Sequence, residues 1–310
     1  MPNNSITPDL SVDFCGITLK NPVVTASGTC GYGREYLPFY TPESLGAITV
    51  KALSVAPRVG NPTPRIAETP SGMLNAIGLQ NPGIAHFLAD ELPFLRERGA
   101  VVIANVAGST VEDYVRAAEM LDESDVDMLE LNISCPNVKE GGVAFGVKPA
   151  SVENITRTIR SHVRRKPLII KLSPNVENIR ENARAAEAGG ADALSLINTL
   201  LGMKIDTRTR RPLLANITGG LSGPAVFPVA LRMVWQVRSV TPLPIIGMGG
   251  ISNADDAVAM MLAGANAVAL GTVCFSNPWA PAEIIAGIAG YCAQNGFAAA
   301  RDLTGALIVG

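Results

Sequence analysis

No CxxC pair and no metal-type spacing occurs among the five cysteines, Cys15, Cys30, Cys135, Cys274 and Cys292. That absence excludes a zinc site or an iron–sulfur cluster held by this chain alone, and the thiols are read as reduced. Charge of one sign is also lacking: 25 Lys and Arg face 27 Asp and Glu, for a formal net charge of −2. A general attraction to phosphate backbones or anionic lipid is thereby excluded, so neither nucleic acid nor a membrane surface is an expected partner. The first residues, MPNNSITPDLSVDF, have neither a basic start nor an apolar stretch, so no export signal is read and the expected location is cytoplasmic. The longest apolar window, Ala257 to Phe275, is divided by Gly264, Asn266 and Gly271 into a helix and a strand. Histidine is scarce, with only His86 and His162, and no repeat, linker or low-complexity stretch is present.

Apolar residues make up 47% of the chain and charged ones only 17%, while 30 Gly and 22 Pro supply many turns, which suits a compact α/β protein and argues against disorder. Eight short apolar runs alternate with amphipathic segments: Val23–Ser27, Ala47–Ala52, Val101–Val106, Met128–Ser134, Leu168–Leu172, Ala193–Thr199, Pro244–Met248 and Ala267–Gly271. Such alternation indicates parallel βαβ units, and eight of them predict one (β/α)8 TIM barrel domain over residues 1–310. Helices are predicted over Thr110–Glu123, opened by a Thr cap with Glu112 and Asp113, and over Pro149–Arg165, closed by basic residues that match the helix dipole. Val12 and Phe14, then Ile17 and Leu19 across Cys15-Gly16, predict an N-terminal β-hairpin that plugs the barrel floor. Two long connections, Ser54–Gly72 and Leu200–Leu221, are expected as loops at the C-terminal mouth; the run Arg208, Arg210 and Arg211 in the second reads as a solvated face.

Function in this architecture sits at the carboxyl ends of the strands. There Lys51, Asn105, Asn132, Lys171 and Asn198 interrupt five otherwise apolar runs. Period-two alternation places Met128, Glu130, Asn132 and Ser134 inward and Leu129, Leu131 and Ile133 toward the helices. One buried amide or ammonium is as often structural as functional. Five at equivalent positions, each costing about 1–3 kcal/mol if unpaired, point to a polar ligand in the mouth. The seventh strand ends Gly247-Met248-Gly249-Gly250-Ile251-Ser252 ahead of a helix, and the eighth ends Leu270-Gly271-Thr272. These glycines either cradle a phosphate, helped by the positive end of the following helix, or simply make tight turns. Gly28-Thr-Cys-Gly31-Tyr-Gly33 has the wrong order for a dinucleotide fingerprint.

Asn132-Ile-Ser-Cys135-Pro-Asn137, Asn75-Ala-Ile-Gly-Leu-Gln-Asn81-Pro-Gly83 and Gly247-Met-Gly-Gly250-Ile together resemble the class 1 dihydroorotate dehydrogenases, over a span from about Leu10 to the carboxyl end. The resemblance implies a barrel with FMN at its mouth, contacted by Ser27, Lys51, Ala52, Asn105, Asn132, Lys171, Ile197, Gly223, Gly249, Gly250, Gly271 and Thr272. It implies pyrimidine contacts from Lys51, Asn75, Ala76, Ile77, Gly78, Leu79, Asn132, Asn198 and Thr199, with no metal. Cys135, where class 2 members carry Ser, favours class 1, and within it Leu79-Gln80-Asn81-Pro82 is similar to the NAD-linked class 1B. In that subclass a homodimer of catalytic subunits forms the core of a heterotetramer, whose second subunit carries FAD and a [2Fe–2S] cluster.

Oxidation of dihydroorotate needs a base for the C5 proton as well as a hydride acceptor. Neither histidine lies near a strand end, which leaves Cys135. It opens the loop Pro136–Val147, whose Gly141, Gly142 and Gly146 suit a lid. An inert buried thiol describes Cys15, Cys274 and Cys292 better. Competing readings are a dihydropyrimidine dehydrogenase-like flavoenzyme, a sugar-phosphate isomerase or lyase with Lys171 as Schiff-base or acid/base residue, and an inactive barrel serving as a scaffold.

Overall fold

The computed structural model describes residues 7–133 and 145–309. Eight parallel strands form the central sheet: Val23–Thr25, Ile48–Thr49, Val102–Val106, Met128–Asn132, Leu168–Lys171, Ala193–Leu196, Ile245–Met248 and Ala267–Leu270. Each lies within one of the eight predicted runs. The last strand pairs with the first through Val268↔Val23, and a bridge between Val24 and Ala47 joins the first to the second, so the sheet closes on itself. Helices fill the intervals, giving the (β/α)8 barrel expected from the alternation. Most of the strands end one to three residues before their apolar runs do. At the mouth the chains leave the ladder, and their last residues turn to border a cavity.

Inside and outside separate as the pleat dictates. Leu129, Leu131 and Ile133 belong to the large cluster shared with the helices, whereas Met128 packs with Ile103, Ile169, Ala193, Ile246 and Ala267 in the barrel interior. The hairpin Val12–Phe14 and Ile17–Leu19 closes the interior from the N-terminal side, with Val12, Phe14 and Leu19 in that inner cluster. Its turn residues Cys15 and Gly16 both have positive φ, 56° and 79°, the geometry of a tight two-residue turn whose twist matches the strands.

The helix Val111–Asp122 begins as read. The Thr110 side chain accepts from the Asp113 N–H, and the Asp113 carboxylate accepts in return from the Thr110 N–H. The second helix is shorter than predicted and ends at His162. Beyond it the Asp122 carboxylate accepts hydrogen bonds from the N–H groups of Arg164, Arg165 and Lys166 at 3.0, 3.0 and 2.9 Å, which draws that stretch out of the helix.

The two long connections are not plain loops. Ile66–Thr69, Gly72–Asn75, Thr218–Ser222 and Leu200–Met203 form a four-stranded antiparallel sheet beside the mouth, with Leu74 and Leu221 in register. A small core of Ala67, Leu74, Ala76 and Leu214 supports it. No helix among the described residues is long and apolar enough to cross a membrane, and the Ala257–Phe275 window resolves into the helix Ala254–Leu262 and the eighth strand.

Candidate active site

A cavity of about 370 Å³ opens at the carboxyl ends of the barrel strands, within the range of pockets that enclose a small ligand or cofactor. Ser27, Lys51, Ala52, Asn132, Lys171, Ile197, Asn198 and Thr199 line it from the barrel, and Asn75, Ile77, Gly78 and Leu79 from the connection after the second strand. Gly223, Gly249, Gly250, Gly271 and Thr272 complete the wall. Two residues singled out in the sequence are not in the lining. Ala76 alternates away from Asn75 into the small core beneath the four-stranded sheet, and Asn105 is wholly buried beside Glu130.

Directly above the apolar interior lies a polar layer. Asn105, Glu130, Lys171 and Ser195 come from four consecutive barrel strands, each inward-facing and one pleat above Ile103, Met128, Ile169 and Ala193. Glu130 is 1% exposed and is held from three sides. Asn105 Nδ2 donates to its Oε1 at 2.5 Å, Ser195 Oγ donates to its Oε2 at 2.6 Å, and Lys171 Nζ lies 3.6 Å from Oε1. Because a carboxylate only accepts, the Asn105 amide must present its nitrogen to Glu130. Its Oδ1 is then left buried with no hydrogen-bond partner among the described residues. Glu130 and Ser195 received no role from the sequence. The period-two pattern placed Glu130 inward, but only the folded barrel brings Ser195 to it.

Above this layer, Asn198 Nδ2 donates to Asn132 Oδ1 at 3.4 Å, and the Thr199 N–H donates to Asn198 Oδ1 at 2.9 Å. Lys51 lies two residues beyond the second strand. Burial holds its ammonium below the usual lysine range, with the positive charge of Arg65 acting in the same direction and Glu35 opposing.

The connection carrying Asn75–Leu79 is fixed by Asn81, whose Oδ1 accepts from the Gly83 N–H at 2.9 Å while its Nδ2 donates to the Leu79 carbonyl at 2.8 Å and to Ser54 Oγ at 2.9 Å. Leu79 keeps a positive φ of 57° in this clamped turn. Gln80 accepts from Arg65 Nη2 at 2.5 Å and also faces the cavity. Sequence reasoning missed Met73, Leu221 and Ser222, which reach the cavity from the four-stranded sheet; Ser222 accepts from the Thr272 hydroxyl at 2.8 Å. Gly28 lines the cavity too, although its glycine motif is no dinucleotide fingerprint.

At the glycine turns, Gly249 and Gly250 have φ of 119° and 79°. A Cβ on Gly250 would lie 2.7 Å from the Phe227 nitrogen and 2.8 Å from the Gly223 carbonyl oxygen, so the turns after the seventh strand and before Pro224 pack backbone to backbone. The helix after Ser252 was expected to offer its positive end. Its Asp256 N–H is engaged within the chain by the Asn253 side chain, and the Asp256 carboxylate accepts from the Ser252 N–H just before the helix.

Cys135 lies outside the described residues, as does most of its loop. The returning end is anchored by Asn182 Nδ2, which donates to the Gly146 and Val147 carbonyls at 2.9 and 3.1 Å. Burial pushes the Cys15 thiol up to about 12, and the Cys292 thiol is also raised by burial first. Among the described residues no group of three or more His, Cys, Asp and Glu side chains could hold a metal ion.

A family model for dihydroorotate dehydrogenase matches residues 9–291. The chain is 56% identical over 299 residues to the protein of Alkaliphilus oremlandii named dihydroorotate dehydrogenase B (NAD(+)), catalytic subunit, covering 96% of this chain and 99% of that one. It is 57% identical over 301 residues to the Geotalea daltonii protein of the same name, covering 97% and 98%. A third, from Listeria welshimeri and again so named, is 55% identical over 277 residues, covering 89% and 91%. On the match over most of its length, the chain belongs to the dihydroorotate dehydrogenase family.

Proposed function

We propose that this chain oxidises dihydroorotate to orotate on a bound FMN, in the biosynthesis of UMP, and passes the electrons to NAD+ through a partner subunit carrying FAD and a [2Fe–2S] cluster. The observation that carries this reading is the meeting, in one cavity, of Lys51 and Lys171, the amides of Asn75, Asn132 and Asn198, and the glycine turns at Gly223, Gly249, Gly250 and Gly271, on a chain of this family. The residues present fit a flavin phosphate. The turns at Gly223, Gly249, Gly250 and Gly271 supply backbone N–H groups, and Asn105, assigned to the flavin by resemblance, lies buried beneath the cavity floor beside Glu130. Ser27, Ala52, Ile197 and Thr272 border the same space.

When bound, FMN supplies the acceptor for the hydride that leaves C6 of the substrate. The chain does the rest. Lys51 meets the substrate carboxylate, for which its partly desolvated ammonium is suited. Asn75, Asn132 and Asn198 satisfy the ring carbonyls and N–H groups, Ile77 to Leu79 bound the ring, and Thr199 closes the far side. Cys135 Sγ takes the C5 proton. A thiol with an ordinary value of about 8.5 needs only modest help to act near neutral pH.

The relatives' name, catalytic subunit, supports a partner subunit, and we place the chain as a homodimer of catalytic subunits within a heterotetramer, in the cytoplasm. The test is anaerobic mixing of the purified yellow chain with dihydroorotate and, separately, with dihydrouracil. Bleaching of the flavin by dihydroorotate alone is expected. A colourless protein that binds no FMN would favour a sugar-phosphate barrel enzyme, and bleaching by dihydrouracil a dihydropyrimidine dehydrogenase.

A further inference from the structure

The resemblance makes Lys171 and Asn105 flavin contacts but leaves unexplained the acidic group between them. A carboxylate 1% exposed inside a barrel carries a large desolvation cost unless it is paired and hydrogen-bonded, and Glu130 is both. Its three partners come from the strands on either side of it and from the strand beyond, Asn105 on the third, Lys171 on the fifth and Ser195 on the sixth. Of the three only Lys171 borders the cavity; Asn105 and Ser195 are both 0% exposed and hold the carboxylate from below.

We propose that Glu130 is the positioning residue of this site: anchored by Ser195 and by the Asn105 amide, its carboxylate holds the Lys171 ammonium at the cavity floor. The assignment rests on the flavin reading for the identity of the ligand in the cavity. Chemistry fixes the orientation of Asn105, since an acceptor-only partner admits only the amide nitrogen. Electrostatics fixes Lys171, a residue 4% exposed whose ammonium has its counter-charge 3.6 Å away. Glu130 thereby also sets the net charge that the floor presents to a bound ring, a lysine offset by a glutamate.

Glu130→Gln removes the charge and keeps the shape, since Gln can still accept from Asn105 and donate to Ser195. With the lysine no longer offset, the midpoint potential of bound FMN should rise. In a Lys171→Met background the same substitution should leave the potential unmoved, which a general loosening of the fold would not reproduce. A second readout needs no flavin. In the flavin-free chain, acylation of Lys171 by an amine-directed reagent, followed by mass spectrometry, should be about tenfold faster in Glu130→Gln, because the amine has lost its counter-charge. If the Gln variant does not fold, Glu130→Asp, one methylene shorter, should move both readouts the same way by less. Unchanged acylation, or a potential shift that survives in Lys171→Met, overturns the assignment. A parental chain that binds no FMN instead overturns the functional reading, while the acylation comparison still decides the role of Glu130.

Discussion

The hydroxyl of Tyr114 donates to the backbone carbonyl of Asn132 at 2.6 Å, tying the helix after the third barrel strand to the last residue of the fourth. Three residues further along the chain stands Cys135, so this bond sets the departure of the strand that delivers the proposed base. Tyr114→Phe should leave a buried carbonyl short of a donor and cost about 1–2 kcal/mol in a denaturant titration. Flavin reduction should slow as well. A variant as stable and as fast as the parent would show that Asn132 is held by other contacts.

Replacing Cys135 by Ala should leave FMN content nearly intact, because the residues proposed to hold the flavin stand on the barrel strands and glycine turns. Hydride transfer should slow by roughly 10²–10⁴, the usual contribution of a positioned base. Stopped-flow bleaching under anaerobic conditions reads this half-reaction directly. Bleaching at the parental rate would assign the C5 proton to another group.

Lys51 should impart a pH dependence to orotate binding. Its ammonium is already held below the ordinary lysine range by burial. The protonated form, which binds a carboxylate, is complete below that lowered value and is lost as pH rises through it. Orotate affinity, followed by flavin absorbance, should therefore fall at a lower pH than an unperturbed lysine would give. Lys51→Gln should bind weakly at all pH values and show no such fall.

Gly250→Ala tests the glycine turns. Both the φ of 79° and the 2.7 Å approach of the Phe227 nitrogen oppose a side chain there. The backbone must shift, and FMN should bind at least tenfold more weakly while the barrel persists, since stored strain of this kind is about 1–3 kcal/mol. Flavin fluorescence on dilution measures the loss. Parental affinity would mean that the turn lies clear of the phosphate.

The barrel was legible because its strands are buried on both faces and read as short apolar runs separated by helices. Their ends were less so. Ser27, Ala52 and Thr199 continue the apolar run in sequence, yet each has already left the ladder to face the cavity. The end of the helix at His162 was hidden because the basic residues after it suit a helix terminus, while the Asp122 side chain that takes their N–H groups lies some 40 residues earlier. Lys51, Asn132, Lys171 and Asn198 could be found by position alone, as polar residues where an apolar strand stops. Ala76 was carried along with its motif, although alternation turns it away from Asn75. Met73, Leu221 and Ser222 could not be found, because their strands are short and carry glycine, and the pairing that brings Met73 to Ser222 joins segments far apart in the chain.

That last feature bears on the order in which the protein acquires its chemistry. The wall of the cavity is stitched by a hydrogen bond from Asn75 Nδ2 to the Gly220 carbonyl at 3.3 Å, across 145 residues of chain. Most barrel contacts join neighbours in sequence and form early, whereas this seam must wait for distant halves to meet. A nascent chain that has emerged only as far as Lys171 already carries both lysines and the Asn75–Leu79 turn, yet it has no enclosed chamber. Ligand capture is thus deferred to the end of folding, and a bound cofactor acts as a late clasp between the first and second halves of the molecule.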